Sequence, residues 1–191
     1  MWYKTGIKSV RICNYKFHFK VNSPVTKCFC NRSKHTKNYC KVKEKKYCYS
    51  VFKSGFINVT GIKHLHEIKP TIQKICKRIG SKTNDLDKQT NGAIYVIDNI
   101  TVTGVLCVCG INLSFLHAHS SEKYTTKYNN LHFPGLFLKI NNLIGTVILF
   151  QSGKFNIVGL KCFNQITPIL REMVVFILLS QKIYMKELSS A

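Results

Sequence analysis

The chain writes one pattern twice. Residues 51–63 read VFKSGFINVTGIK, and residues 149–161 read LFQSGKFNIVGLK. In register they share Phe52/Phe150, Ser54/Ser152, Gly55/Gly153, Asn58/Asn156, Gly61/Gly159 and Lys63/Lys161, at a constant offset of 98 residues. The offset persists downstream. Leu65, Ile68, Ile72, Ile75, Cys76 and Ile79 fall on Phe163, Ile166, Leu170, Met173, Val174 and Ile177, and Pro70 falls on Pro168. A period this long, present twice, marks a duplicated half-domain and not a solenoid array.

Each copy predicts the same local structure. Hydrophobic runs flank a Ser-Gly, which suits a tight hairpin turn. The runs alternate with period two. One face of the hairpin carries Ser50, Phe52, Asn58 and Thr60, or in the second copy Ile148, Phe150, Asn156 and Val158. The other carries Val51, Ile57 and Val59, or Leu149, Phe155 and Ile157. The apolar residues that follow step by three and four, the signature of one helix face. A hairpin with an amphipathic helix behind it buries only the face that meets the helix. The open face nevertheless holds a Phe in both copies, and that calls for a partner or a cover.

Length and charge narrow the partner. The 191 residues suit one domain built of two pseudo-symmetric halves, and 45% hydrophobic content provides a sizeable core. Lys and Arg number 29 against 8 Asp and Glu, a net charge of +21. Charge on that scale points to a polyanion: nucleic acid first, an anionic membrane surface second. The N-terminus MWYKTGIKSVRIC has no apolar core of a secretory signal, and the apolar run Met173–Leu179 falls short of the ~20 residues of a membrane span. The expectation is a soluble intracellular protein with no membrane partner, whose nine Cys are reduced thiols.

Composition sets out an arm over 1–9, a first half over 10–80, a polar linker over 81–92, a second half over 93–184 and a tail over 185–191. Strands are expected over 10–22 and Tyr39–Lys43. A further strand is expected in AIYVIDNITVTGVLCVCG, with a bend at Gly104, and a short helix within INLSFLHAHSSEKYTTKYN. Pro70 and Pro168 lack the N–H that a helix interior uses, so each helix either starts near its Pro or kinks there.

At the second motif the pattern becomes that of a known family. YNNLHFPGLFLKINNLIGTVILFQSGKFNIVGLK, with its FPGL, its Phe-x-Ser-Gly-Lys turn and its closing Gly-x-Lys, resembles the TATA-box-binding protein family. The strand IYVIDNITVTG resembles that family's opening strand, with Asp98-Asn99 in place of its Gln-Asn. Cys13-Asn14 stands there in the first half. The resemblance spans residues 10–180 and is stronger in the second half. It implies an α+β, TBP-like saddle: a curved antiparallel sheet of two pseudo-symmetric halves, with helices on the convex face and the concave face set against the DNA minor groove. It implies Asn14 and Asn99 as hydrogen-bonding residues at the central base steps. Phe133 and Phe150, 17 residues apart, would be a wedge pair, with Phe52 one wedge of the first half and His35 in the place of the other. Lys41, Lys63, Lys139, Lys154 and Lys161 would face phosphates. Asn58, Thr60, Ile148, Asn156 and Val158 complete the DNA-facing set. The implied partners are double-stranded DNA, as an AT-rich promoter, with transcription initiation factors and the RNA polymerase machinery. The implied location is the nucleus, or the cytoplasm for a virus that transcribes there; the Lys, Asn and Ile bias fits an AT-rich genome.

The departures from the family are specific. Small apolar residues two places after each Asn are Lys16 and Thr101 here, and a concave-face Val is Asn in both copies, Asn58 and Asn156. From Asn14 to His35 there are 21 residues, against 34 from Asn99 to Phe133, so the first half has lost or shortened a helix. Acidic residues before FPGL, which the family uses to dock an initiation factor, are Asn129 and Leu131. These changes keep a second reading in view: a TBP-fold scaffold without TATA specificity, binding protein or non-specific nucleic acid.

Other chemistry is thin. Cys28, Cys30, His35, Cys40 and Cys48 are near in sequence but lack paired C-x₂-C spacing, so they read as thiols and no metal or cofactor is expected. Cys107 and Cys109 read as half-buried strand residues. His117-Ala-His119 has one nearby carboxylate, Glu122, and no phosphate-loop, zinc-protease or serine-hydrolase motif is present. The chain reads as a non-enzyme.

Overall fold

The computed structural model describes residues 6–21, 39–80, 95–108 and 110–189, with the backbone alone for 182 and 184–189. Nine strands hydrogen-bond in the order β2-β3-β4-β1-β5-β9-β8-β7-β6. They are β1 (Ile7–Lys20), β2 (Tyr39–Lys43), β3 (Cys48–Phe52), β4 (Phe56–Ile62), β5 (Val96–Leu106), β6 (Tyr124–Asn129), β7 (Phe133–Ile140), β8 (Thr146–Phe150) and β9 (Lys154–Leu160). Three α-helices join them: α1 (Ile68–Ile79), α2 (Leu113–Ala118) and α3 (Ile166–Ser189). Contacts divide the chain into two compact units, Ile12–Ile100 and Met1–Arg11 with Thr101–Ala191.

In the 12–100 unit, β2, β3 and β4 form a meander and β1 pairs antiparallel with β4. Alternation decides the faces. Tyr15, Phe17 and Phe19 of β1, Tyr49 and Val51 of β3, and Ile57, Val59 and Ile62 of β4 are buried, as are Ile68, Ile72, Ile75 and Cys76 of α1. The intervening residues Ser50, Phe52, Asn58 and Thr60 remain half-exposed on the other side. In the second unit β6, β7, β8 and β9 form the corresponding meander. Leu136, Leu138, Val147, Leu149, Phe155 and Ile157 are buried there, with Ile169, Leu170, Met173, Phe176 and Ile177 of α3.

The repeated glycines have two jobs. Gly55 and Gly153 turn the hairpins at φ 81° and 77°. Gly61 and Gly159 lie at φ 98° and 86° near the ends of β4 and β9. The pairing of β1 with β4 slips beside the first of these, between Tyr15↔Ile62 and Phe17↔Val59, so the motif's second glycine marks a β-bulge. The sequence pattern therefore repeats because the backbone conformations repeat.

Both prolines occupy the first turn of their helices. A 3-10 turn, Leu65–Glu67 or Phe163–Gln165, leads into α1 or α3, and Pro70 or Pro168 is the third α-helical residue. No intrahelical bond is lost at that position. The turns are tied by side chains: Glu67 Oε2 accepts from His64 N–H, and Gln165 Oε1 accepts from Lys161 and Cys162 N–H.

Several expectations need correction. Strand β1 begins at Ile7, inside the presumed arm, and ends at Lys20. Strand β5 runs without a break through Gly104, where a Cβ would strike the Phe155 ring at 2.3 Å and the Ser9 carbonyl oxygen at 2.5 Å. That glycine serves close packing and not a bend. Tyr124–Asn129, read from sequence as mixed, is an edge strand. Helix α3 continues to Ser189, so most of the presumed tail is helical. The stretch Phe163–Gln181 is long and apolar enough to cross a membrane, against the short apolar run seen in the sequence. Its Ile169, Leu170, Met173, Phe176 and Ile177 are buried in the second unit, while Phe163, Val175, Leu178 and Leu179 are exposed. Cys107 is exposed just past β5 and is not a half-buried strand residue. The linker over 81–92, His35, Cys28, Cys30, Cys109 and the site of the shortened first helix lie outside the described residues.

Candidate nucleic-acid interface

The sequence-derived site residues lie on the helix-free strand faces or at the strand ends. In the 12–100 unit one cross-strand row runs Lys41, Ser50, Asn58, His18, from β2 through β3 and β4 to β1. Beside it Phe52 pairs with Tyr39, ring centroids 5.5 Å apart, and Thr60 pairs with Cys48. Lys41 is exposed, and so is Lys63 just beyond β4.

Asn14 has a defined orientation. Its Oδ1 accepts a 2.7 Å hydrogen bond from the N–H of the bulge residue Gly61. The oxygen is thus committed to the protein, and the side-chain NH₂ is left as the group to present. Asn99 is half-buried on β5.

In the second unit the matching row runs Lys127, Phe137, Ile148, Asn156, and Thr146 pairs with Val158. Phe133 opens β7 at 37% exposure, and its ring lies 6.0 Å from Phe150, edge to face, and 5.2 Å from Phe137. The Phe133 and Phe150 rings close over Gly135, where a Cβ would lie 2.7 Å from the first and 3.1 Å from the second. A side chain there would push the rings apart. Lys139 and Lys154 are exposed on β7 and β9, and Lys161 just past β9. Asn129 and Leu131 flank the turn before Phe133. Leu131 is 89% exposed, and its N–H is held by Asn129 Oδ1.

Sequence reasoning missed three members of these faces, Tyr39, Phe137 and His18, and the Asp98 carboxylate that His18 meets. Tyr39 alternates with Lys41, and Phe137 with Phe133 and Gly135, so the period-two signal was present for both. His18 and Asp98 carried none, being 80 residues apart. The His18 Nδ1 and Asp98 Oδ1 lie 2.7 Å apart, and the imidazole stacks on Phe56 at 4.7 Å.

Electrostatics favour a polyanion on both units. Two of the carboxylates with described side chains are matched to cations, Glu44 to Arg78 and Glu172 to Lys123, and Asp98 lies against the His18 imidazole. The Lys123 and Tyr124 hydrogen bonds hold the Glu172 carboxyl below its ordinary range. The strand lysines thus have few acids to neutralise them. Cys40 pairs with Val51 and Cys48 with Lys43, which sets the two thiols on opposite faces. No group of three metal-ligating side chains occurs among the described residues. The two histidines of the His-Ala-His pair have local partners, His117 in Thr126 Oγ1 and His119 in the Phe115 carbonyl.

Comparison with known proteins gives the same grouping. Residues 9–81 and 94–178 match the family described as Transcription factor TFIID (or TATA-binding protein, TBP). The TATA-box-binding protein of Methanococcus vannielii is 26% identical over 143 residues, covering 70% of this chain and 74% of its own. That of Picrophilus torridus is 31% identical over 126 residues, covering 66% of each. Among solved structures, Methanococcus jannaschii TBP superposes with a TM-score of 0.70 at 24% identity, over 88% of this chain and 98% of its own. The fold class expected from the sequence, an α+β TBP-like fold with an antiparallel sheet, is the one found. By both of its repeats and by its fold, the chain belongs to the TATA-binding protein family.

Proposed function

We propose that this protein is a DNA-binding transcription initiation factor that engages the minor groove of AT-rich promoter DNA through its open strand faces and bends it. The observation that carries the reading is the ring cluster of Phe133, Phe137 and Phe150, held on the side of the sheet away from the helices. A soluble protein gains nothing by leaving three phenyl rings at its surface unless something covers them. Inserted between base steps, such rings unstack and kink the duplex. The cost of a few kcal/mol per step is the general one for wedge-inserting proteins, TATA-binding proteins among them. Asn14 supports the same reading. A·T pairs offer only acceptors in the minor groove, A N3 and T O2, and the NH₂ of the half-buried Asn14 is a donor. Asn99 takes the same role, Phe52 acts as a wedge in the 12–100 unit, and the strand lysines meet phosphates. Initiation factors and polymerase are the protein partners, though Asn129 and Leu131 leave the docking surface before Phe133 without acidic charge.

Alanine at both Phe133 and Phe150 tests this. Bending, followed by energy transfer between dyes at the duplex ends, is expected to vanish while the circular dichroism spectrum is unchanged. Undiminished bending rejects the wedge assignment. A second reading is favoured by Lys16, Asn58 and Asn156, which make the open faces more polar. In it the fold serves as a scaffold that binds nucleic acid without regard to sequence. Equal affinity for AT-rich and GC-rich duplexes at one salt concentration supports the scaffold, and a clear AT preference removes it.

A further inference from the structure

In the 12–100 unit the helix side of the sheet carries a cationic face of its own. Four of the twelve residues of α1 are Lys or Arg, and none is acidic. Ile68, Thr71, Ile72, Ile75 and Cys76 are buried, which turns Lys69, Lys74, Lys77 and Arg78 outward, all of them exposed. Arg78 pairs with Glu44 and so holds the turn between β2 and β3, with its exposed Lys45 and Lys46, beside the end of the helix. Among the described residues no carboxylate pairs with Lys45, Lys46, Lys69, Lys74 or Lys77. The fold does not require these charges. Strand β4, its 3-10 turn and α1 recur 98 residues later as β9, its turn and α3, and there the places of Lys69, Lys74 and Lys77 hold Thr167, Glu172 and Val175. A lysine-rich composition acts on both copies alike, so it does not single out α1. Helix stability accounts for a part only. Lys77 and Arg78 suit the negative, C-terminal end of the helix dipole. Lys69 sits in the first turn, where a cation is opposed, and Lys74 and Arg78, four residues apart, repel.

The chemistry of the face selects its anion. The remaining outward positions of α1 are Pro70 and Gln73, so the helix offers no large exposed apolar side chain. Protein partners are held by buried aromatic and apolar anchors, whereas a phosphate backbone asks for cations alone. We propose that the outer face of α1, together with the turn between β2 and β3, binds the phosphate backbone of a second segment of duplex DNA, without regard to its sequence, while the open face holds the first. The proposal rests on the minor-groove reading for that first duplex alone. A bound promoter keeps its own flanking DNA at high local concentration, and those flanks are the occupant within reach. The unit then grips DNA on both sides of its sheet: the open face reads and bends, and the helix side gathers in a neighbouring stretch.

The test fixes an AT-rich duplex to beads, saturates it with the full chain, washes, and adds a dye-labelled GC-rich duplex. The unaltered protein is expected to capture the second duplex. A variant with Lys45, Lys46, Lys69, Lys74 and Lys77 all changed to Gln is expected to capture it at least roughly tenfold more weakly, as the loss of several phosphate contacts requires. The same variant should keep its circular dichroism spectrum and bind and bend the AT-rich duplex as before. Capture that survives in the variant overturns the proposal. So does a face that binds a polyglutamate peptide and captures no duplex, which assigns it to an acidic protein. If the unaltered protein bends the AT-rich duplex and captures no second one, only this proposal falls. If the variant loses the AT-rich duplex as well, the helix side is the primary surface, and the minor-groove reading falls with it.

Discussion

At the scale of single residues, the two faces of each strand are held to different standards. On the open side Asn14 shows how a polar group is oriented: the bulge takes its oxygen, by the hydrogen bond from the Gly61 N–H. On the buried side an unpartnered polar group is a cost. Tyr49 is 2% exposed, and its hydroxyl has no hydrogen-bond partner among the described residues. Burial pushes its pKa from the ordinary 10.0 up to about 12. The folded protein therefore keeps a proton that the unfolded chain releases above pH 10. Stability is expected to decline as pH rises through the interval between those values. Tyr49→Phe removes both effects. It is expected to raise stability by about 1 kcal/mol at neutral pH, because an unsatisfied buried hydroxyl is gone. Thermal melts of the two proteins at pH 8 and pH 11 check this: the variant's advantage should widen at the higher pH, and a gap that narrows refutes the assignment.

At the scale of elements, the bulge beside Gly61 is where β1 changes register against β4. Gly61 combines a φ of 98° with a close approach, since a Cβ there would lie 3.1 Å from the Lys46 carbonyl oxygen and from the Tyr47 Cα. Gly61→Ala is expected to cost about 1–3 kcal/mol, the usual strain of a side chain in this region of φ and ψ. Urea unfolding monitored by circular dichroism reads the loss directly. The elements were legible in the sequence where a local period wrote them. The hairpins, the short strand Tyr39–Lys43 and both long helices follow from alternation and from steps of three and four. The open-face placement of Phe52, Phe150, Asn58 and Asn156 follows from the same parity. Illegible were features fixed by partners far along the chain. The edge strand Tyr124–Asn129 owes its conformation to pairing with β7, and its residues alone do not insist on it. Gly104 looked like a bend because the Phe155 ring that requires it lies 51 positions later. His18 and Asp98 acquire a joint chemistry only once β1 and β5 are neighbours.

At the scale of the whole molecule, charge is the property that no single contact explains. A net +21 on 191 residues works against a compact chain in isolation, since like charges repel, yet both units fold around well-filled apolar cores. The excess is tolerable if a polyanion takes it up, and the salt dependence of binding counts how much. Each lysine that neutralises a phosphate releases counterions, so the slope of log affinity against log salt steepens by about 0.9 per contact on duplex DNA. Lys41, Lys63, Lys139, Lys154 and Lys161 are all exposed, at the open faces or just past the strand ends. Replacing any one by Ala is expected to flatten the slope by about 0.9 and to weaken AT-rich and GC-rich duplexes alike, because phosphates carry no sequence. The Phe133 and Phe150 replacements should do the opposite, removing bending while leaving the slope near its original value. A lysine whose loss changes affinity for one sequence alone contacts a base and not a phosphate. If all five leave the slope unmoved, the charge serves a different surface from the one that carries the rings.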